Sequence, residues 1–233
     1  ILIIQTQNSS NGTAGTYEFA TIVNISGSVL ELAFGLDNVY FTGVYNSTTA
    51  TNTQIVTVPQ YTNLTVNSGA SIVPVMWQGT TGGIIVFKAN ENVNVIGNIS
   101  VNGAGFRGAE ITPIIDPFNA TQGESFTGLG LKMRTANRGG GGGQLGGLSC
   151  SLPGSGGGGH GAQGGNGSSG NCVGEAVGQG GNATGTANLS VLMFGGGGGE
   201  ARNSQAGGDG AGIIFIAAQN ISVTGRITAN GNA

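Results

Sequence analysis

Charge is what this 233-residue chain has least of. Asp, Glu, Lys and Arg make up 7% of it, against about a quarter of an ordinary soluble domain. The net charge is −3 and no basic run occurs, which argues against a nucleic-acid partner, because phosphate binding needs clustered Lys and Arg. One histidine, His160, and ten scattered carboxylates supply no metal-ligand set and no facing acid pair. The glycine runs lack the lysine of a phosphate loop. The expectation is therefore no catalytic residue, no metal, no cofactor and no enzymatic activity. Aliphatic stretches stop after a handful of residues, short of the ~20 that cross a bilayer, so no membrane span is expected. Helical periodicity is missing as well.

What remains is short and β-like. "TYEFATIVNI", "SVLELAFG", "NVYFTGVY", "TQIVTVPQY", "NLTVN", "SIVPVMW", "GGIIVFKA", "NVNVIG" and "NISVNG" alternate with Gly, Asn, Ser and Thr. Such spacing predicts an all-β sandwich or barrel. Trp77, Met76 and Phe87 are expected in its core. Pro59 and Pro74 place their strands at edges or bulges. One stretch then returns. "GIIVFKANENVNVIGNISVNG" (83–103) reappears as "GIIFIAAQNISVTGRITANG" (212–231) with about half the positions identical once Glu91 is skipped. Asn92 then aligns with Asn220 and Gly97 with Gly225. The two copies are expected as matching layers of one sheet system; two are too few to define a solenoid.

Between the copies glycine dominates: 31 of the 74 residues from Gly139 to Gly212, out of 49 in the chain. Two readings stay open. One is a flexible linker. The other is a bundle of extended three-fold helices of the polyglycine II type, at ~3.1 Å per residue, in which glycine permits close packing and backbone groups bond between neighbours. Apolar residues between the runs, among them Leu145, Leu148, Leu189, Val191 and Phe194, favour the bundle. Cys150 and Cys172, the only cysteines, bracket part of this region. They read as a disulfide in an exported chain or as two buried thiols. The expected layout is an N-terminal strand and tether (1–13), a β-sandwich-like domain (14–103), a glycine-rich subdomain (104–211) and closing strands (212–233).

Eleven N-x-S/T sequons occur, at Asn8, Asn11, Asn24, Asn46, Asn63, Asn98, Asn119, Asn166, Asn182, Asn188 and Asn220, where roughly four or five would arise from composition alone. They point to an exported chain carrying N-glycans. No signal-peptide pattern is visible, so the residues read as the mature form. The chain opens on Ile1, Leu2, Ile3 and Ile4, four aliphatics in a row that suit a strand buried on both faces. That strand belongs either to the chain's own sheet or to a neighbour's, as a donor on the polar tether "TQNSSNGTAGT".

Ile1–Gln7, the sequons and the low charge together resemble archaeal extracellular surface filament subunits, the donor-strand threads and bundling pili. That resemblance implies an N-glycosylated filament subunit on the cell surface, joined head to tail to copies of itself and serving adhesion or cell–cell contact in a biofilm. The glycine runs with residues 212–231 resemble the polyglycine-helix adhesins of phage tail fibres. That second resemblance implies the alternative, a tip adhesin gripping surface glycans or another receptor through glycine-rich loops such as "QLGGLSCSLPGS" and "SSGNCVGEAV". It departs from the phage case in its sequons.

Overall fold

The structure is a computed structural model that describes residues 1–10, 12–46, 49–111, 120–143, 154–169, 177–201 and 205–232. Among these residues the chain forms fourteen strands and no helix, so the fold is all-β. In order they are β1 (Leu2–Asn8), β2 (Tyr17–Phe19), β3 (Ile22–Ser26), β4 (Val29–Leu32), β5 (Thr51–Val56), β6 (Gln60–Tyr61), β7 (Leu64–Val66), β8 (Ser71–Ile72), β9 (Ile84–Ala89), β10 (Asn92–Val95), β11 (Asn98–Ser100), β12 (Ile213–Ala217), β13 (Asn220–Val223) and β14 (Arg226–Thr228). Because no described helix exists, none is long and apolar enough to cross a membrane.

The last nine strands stack as three coils. Their sheets run β12-β9-β6, β13-β10-β7 and β14-β11-β8, each parallel. The repeat is the register: Asn92 pairs with Asn220, Ile84 with Ile213 and Asn98 with Arg226. The first coil in chain order, β6 to β8, lies on the other side of the second, β9 to β11, from the third, β12 to β14, and shares with them little more than the pattern Asn, apolar, polar, Val. Alternation turns Val66, Ile85, Phe87, Val93, Val95, Ile99 and Val101 inward to a common core. Asparagines stack at one corner, where Asn92 Nδ2 donates to Asn63 Oδ1 at 2.8 Å and Asn220 Nδ2 to Asn92 Oδ1 at 3.2 Å. At the next corner Gly225 stacks on Gly97, and Gly97 on Asn67 and Ala70.

The outward residues of β9 and β12 meet a second sheet. It is antiparallel, ordered β2-β1-β5, with β1 in the middle. Leu2 and Ile4 pack with Val86, Ile213, Trp77, Phe106 and Phe194 into a second core, flanked by Tyr17, Phe19 and Phe215. Lys88 Nζ sits 3.8 Å over the Phe19 ring. Every residue of β1 is buried, as the aliphatic start predicts, and its partners are strands of its own chain. The Ile1 ammonium is fixed as well, donating to Ala20 O at 2.8 Å. Trp77 and Phe87 are core residues, whereas Met76 is exposed, because the chain leaves the first coil at Val75 and only the indole turns inward.

The glycine-rich segments are extended and laced together by backbone hydrogen bonds rather than by sheet ladders. Donors along one run follow a period of three. Gly195 and Gly198 donate to Ala211 and Gly208, Gly196 and Gly199 to Gly159 and Gly156, and Gly197 and Glu200 to Glu124 and Thr121. Each run thus has three neighbours in turn, as a helix of three residues per turn requires. A Cβ on Gly158, Gly196 or Gly197 would lie 1.8–1.9 Å from a neighbouring carbonyl oxygen, so no other residue fits there.

The corner glycines give the first prediction. A Cβ on Gly97 would stand 2.3 Å from both Asn67 O and Ala70 O. Gly97→Ala is expected to cost about 1–3 kcal/mol by overpacking. Gly43→Ala, with open space around it, should be silent. Urea unfolding of the two variants measures the contrast.

Candidate functional site

The most connected polar group in the described residues is the carboxylate of Glu124, which is buried. Its Oε1 accepts from Tyr45 OH at 2.5 Å, Gln7 Nε2 at 3.1 Å and Trp77 Nε1 at 3.1 Å. Its Oε2 accepts from Arg107 Nε at 2.9 Å and Arg107 N at 3.1 Å. Arg107 also donates to the Tyr45 hydroxyl. Burial and then the Glu124 charge raise the Tyr45 phenol above its ordinary value. A cavity of about 410 Å³ opens beside the cluster, lined by Tyr45, Arg107, Glu110, Thr121 and Leu129. Five donors occupy the four or so lone-pair sites of one carboxylate. The arrangement is a clamp. It joins β1 (Gln7), the segment before the first coil (Tyr45), the segment after it (Trp77) and the glycine-rich arm (Arg107). Sequence reading missed it, because residues from 7 to 124 converge on one atom pair with no local motif.

The sequons fall into three groups. Asn24, Asn46, Asn63, Asn166, Asn182, Asn188 and Asn220 are exposed and Asn98 is half-buried. Asn8 is buried, donates through Nδ2 to Thr13 Oγ1 at 2.8 Å and accepts from Ser10 N at 3.1 Å. Asn11 and Asn119 lie outside the described residues, as do Cys150 and Cys172 and most of the two loops singled out as receptor-binding candidates, residues 144–153 of the first and 170–176 of the second. Asn98 and Asn220 each start a strand of a coil, and Asn63 immediately precedes one. An asparagine at the corner, an inward apolar residue and an outward Ser or Thr spell a sequon as a by-product of coil geometry. His160 is exposed on the glycine-rich arm. Among the described residues, no three His, Cys, Asp or Glu side chains gather where they could hold a metal ion.

Two apolar surfaces have no cover among the described residues. One is the outer end of the third coil, where Ile221, Val223 and Ile227 are exposed. Next to it a cavity of about 590 Å³ is lined by Ile214, Ile216, Ile227, Leu189, Val191 and Met193, among others. The other is the β3–β4 hairpin with the segment after it, where Val23, Ile25, Val29, Phe34, Val39 and Val44 are exposed. Among the described strands the two of the hairpin pair only with each other. Comparison with protein-family models, with curated proteins and with solved structures finds no match to this chain.

Two predictions follow from these placements. Glu124→Ala strands the buried donors of Gln7 and Trp77 and is expected to cost about 3 kcal/mol, with Glu124→Gln intermediate; chemical denaturation tests both. Peptide mass spectrometry of native material should find glycans only at exposed or half-buried sequons, with Asn8 bare, because its amide is consumed inside the fold.

Proposed function

We propose that the protein is a non-enzymatic structural subunit of an extracellular, N-glycosylated cell-surface filament in which copies of the chain join head to tail, serving adhesion or contact between cells. The observation that carries this reading is the pair of uncovered apolar surfaces on a chain with almost no charge. A solitary secreted domain keeps its exposed apolar patches small. Here one patch is an open coil end and the other a free hairpin, two different shapes. A contact between unlike surfaces does not close on itself and propagates. The seven exposed sequons would hang glycans on a surface that has few charges to keep it soluble. Within this reading the glycine-rich arm is a polyglycine II-like bundle, supported by the period of three in its hydrogen bonds, and the two facing sheets serve as the sandwich-like body.

Attachment has two modes. In donor-strand complementation, Ile1, Leu2, Ile3 and Ile4 leave their own sheet and fill the equivalent seat between β2 and β5 of a neighbour, with residues 9–16 opening as the tether. In docking of complete subunits, β1 stays where it is. The seat of β1 favours the second, since a fully buried strand held between two neighbours leaves no exposed surface to drive exchange.

Negative-stain electron microscopy of the native material tests the filament itself, and discrete single particles at all concentrations would overturn it. The mode is read by cross-linking. Ile3 faces Ile55 across the β1–β5 pair, so an Ile3→Cys/Ile55→Cys chain treated with a short bis-maleimide should run as one chain if β1 stays home. A covalent ladder, absent from the parent chain with its two native cysteines, would establish exchange.

A further inference from the structure

The dipeptide Asn-Gly occurs at Asn11, Asn102, Asn166 and Asn230. Such a pair can modify itself, because glycine has no Cβ to hinder its backbone nitrogen as it approaches the asparagine side chain. The glycine N attacks Cγ and a C–N bond forms. The bond from Cγ to Nδ2 breaks, and the amide nitrogen leaves as ammonia with the proton from the glycine N–H. Water then opens the cyclic imide to aspartate or to a β-linked aspartate, and nothing is oxidised or reduced. The reaction needs a glycine N–H that is not engaged and an asparagine side chain free to turn toward it. Asn11 lies outside the described residues, which leaves three pairs to compare.

Exposure does not separate them, since Asn102, Asn166 and Asn230 are all exposed. Hydrogen bonding does. Gly103 N donates to Asn230 O at 2.8 Å, and Asn102 Oδ1 accepts from Asn230 N at 2.8 Å. Gly167 N donates to Gly178 O at 2.9 Å, and Asn166 Oδ1 accepts from Gly180 N at 2.8 Å. Nucleophile and side chain are tied at both pairs. The related pair Asp209-Gly210 is tied in the same way, with Gly210 N on Phe106 O and Gly108 N on Asp209 Oδ1, each at 2.8 Å. At Asn230-Gly231 neither the Gly231 N–H nor the Asn230 side chain has a hydrogen-bond partner among the described residues. The repeat explains the contrast. Asn102 and Asn230 hold equivalent places in successive coils, and Asn102 is locked by the backbone of the residue one coil further out, which is Asn230 itself.

We propose that Asn230-Gly231 is a self-modification site, at which the folded chain loses ammonia and takes up water to gain a carboxylate, while Asn102-Gly103 and Asn166-Gly167 are held inert by the fold. The backbone around the reactive pair is anchored, through Asn230 N on Asn102 Oδ1 and Asn232 N on Asp209 O at 2.8 Å, so the site belongs to the ordered coil. Residues 212–232 carry Arg226 and no acid, and the new carboxylate is the first negative charge on that coil. None of this depends on the filament reading.

The test follows peptides by mass spectrometry while the full chain stands at mildly alkaline pH in heavy-oxygen water, which labels each carboxylate as it forms. One sample is folded and the other is unfolded in urea. In the folded chain Asn230 should convert about tenfold or more faster than Asn102, which reacts only after local opening breaks its two hydrogen bonds. In urea the two should convert at similar rates, since each is then an unrestrained Asn-Gly pair. An isoaspartyl methyltransferase should methylate the Asn230 peptide, as a β linkage requires. Asn230→Gln, whose longer side chain closes the ring poorly, should abolish the label in that peptide and leave the melting temperature unchanged. Equal rates at Asn102 and Asn230 in the folded chain overturn the proposal. So does an Asn230 peptide that stays intact when folded yet converts in urea, or a label that persists in the Asn230→Gln peptide.

Discussion

Backbone hydrogen bonds between segments far apart in sequence are the constraint on which this fold depends. Without helices among the described residues, few N–H groups find a partner close by in sequence, and each buried one must be met by another stretch of chain. The coils meet that demand with parallel ladders, in which each layer supplies the next. The glycine-rich arm meets it with donors that rotate through three neighbours. Both solutions require backbones to approach closely, which explains why glycine takes the corners of the coils and nearly every crossing of the arm. They also share a cost. Ordering glycine sacrifices more conformational freedom than ordering any other residue, so the arm holds only where neighbours are already in place.

Those neighbours are held by a small number of side chains at the junction. Trp77, Phe106 and Phe194 meet at ring distances of 5.2–6.0 Å, one ring from the segment before β9 and two from the arm. Phe194 stands immediately before the run Gly195–Gly199, so its burial fixes where that run begins. Glu124 lies against the same cluster and accepts from Trp77. Its single ion pair, with Arg107, is the only one recorded among the described residues. In a chain so poor in charge, an ionic clamp placed where sheet, coil and arm converge does work that surface salt bridges, worth little each, would not do.

Much of the coil stack was legible before any coordinates. The alignment of Asn92 with Asn220 is the strand register itself, and the skipped Glu91 is the residue where the offset between copies changes from 129 at Ile84 and Ile213 to 128 at Asn92 and Asn220. The first coil stayed hidden because its strands are only two or three residues long, leaving Leu64 and Val66 as the visible part of a pattern that needs a longer window. The aliphatic start announced a strand buried on both faces, but burial alone does not say whose sheet receives it; that depends on Tyr17–Phe19 and Thr51–Val56 arriving on either side. The Glu124 clamp had no signal at all, since its donors share neither spacing nor residue type. The sequons carried a mixed signal. Some mark the outer surface, and those at Asn63, Asn98 and Asn220 coincide with a structural rule of the coil.

The two ends of the coil stack differ in a way that stability alone does not explain. Blunting an edge with proline is a standard defence against unwanted pairing, and the first coil has it. Among the described residues the third coil has the features that make the defence necessary: three parallel edges without a further strand, inward aliphatics left half-covered and no proline. Its one charge, Arg226, is exposed and pairs in register with Asn98. A chain selected only to stay apart from its copies would protect both ends or neither. Under the filament reading proposed above, protection of one end would set a polarity, with the third coil as the end left open. Polarity of that kind suits a structure that grows in one direction from subunits that are all alike.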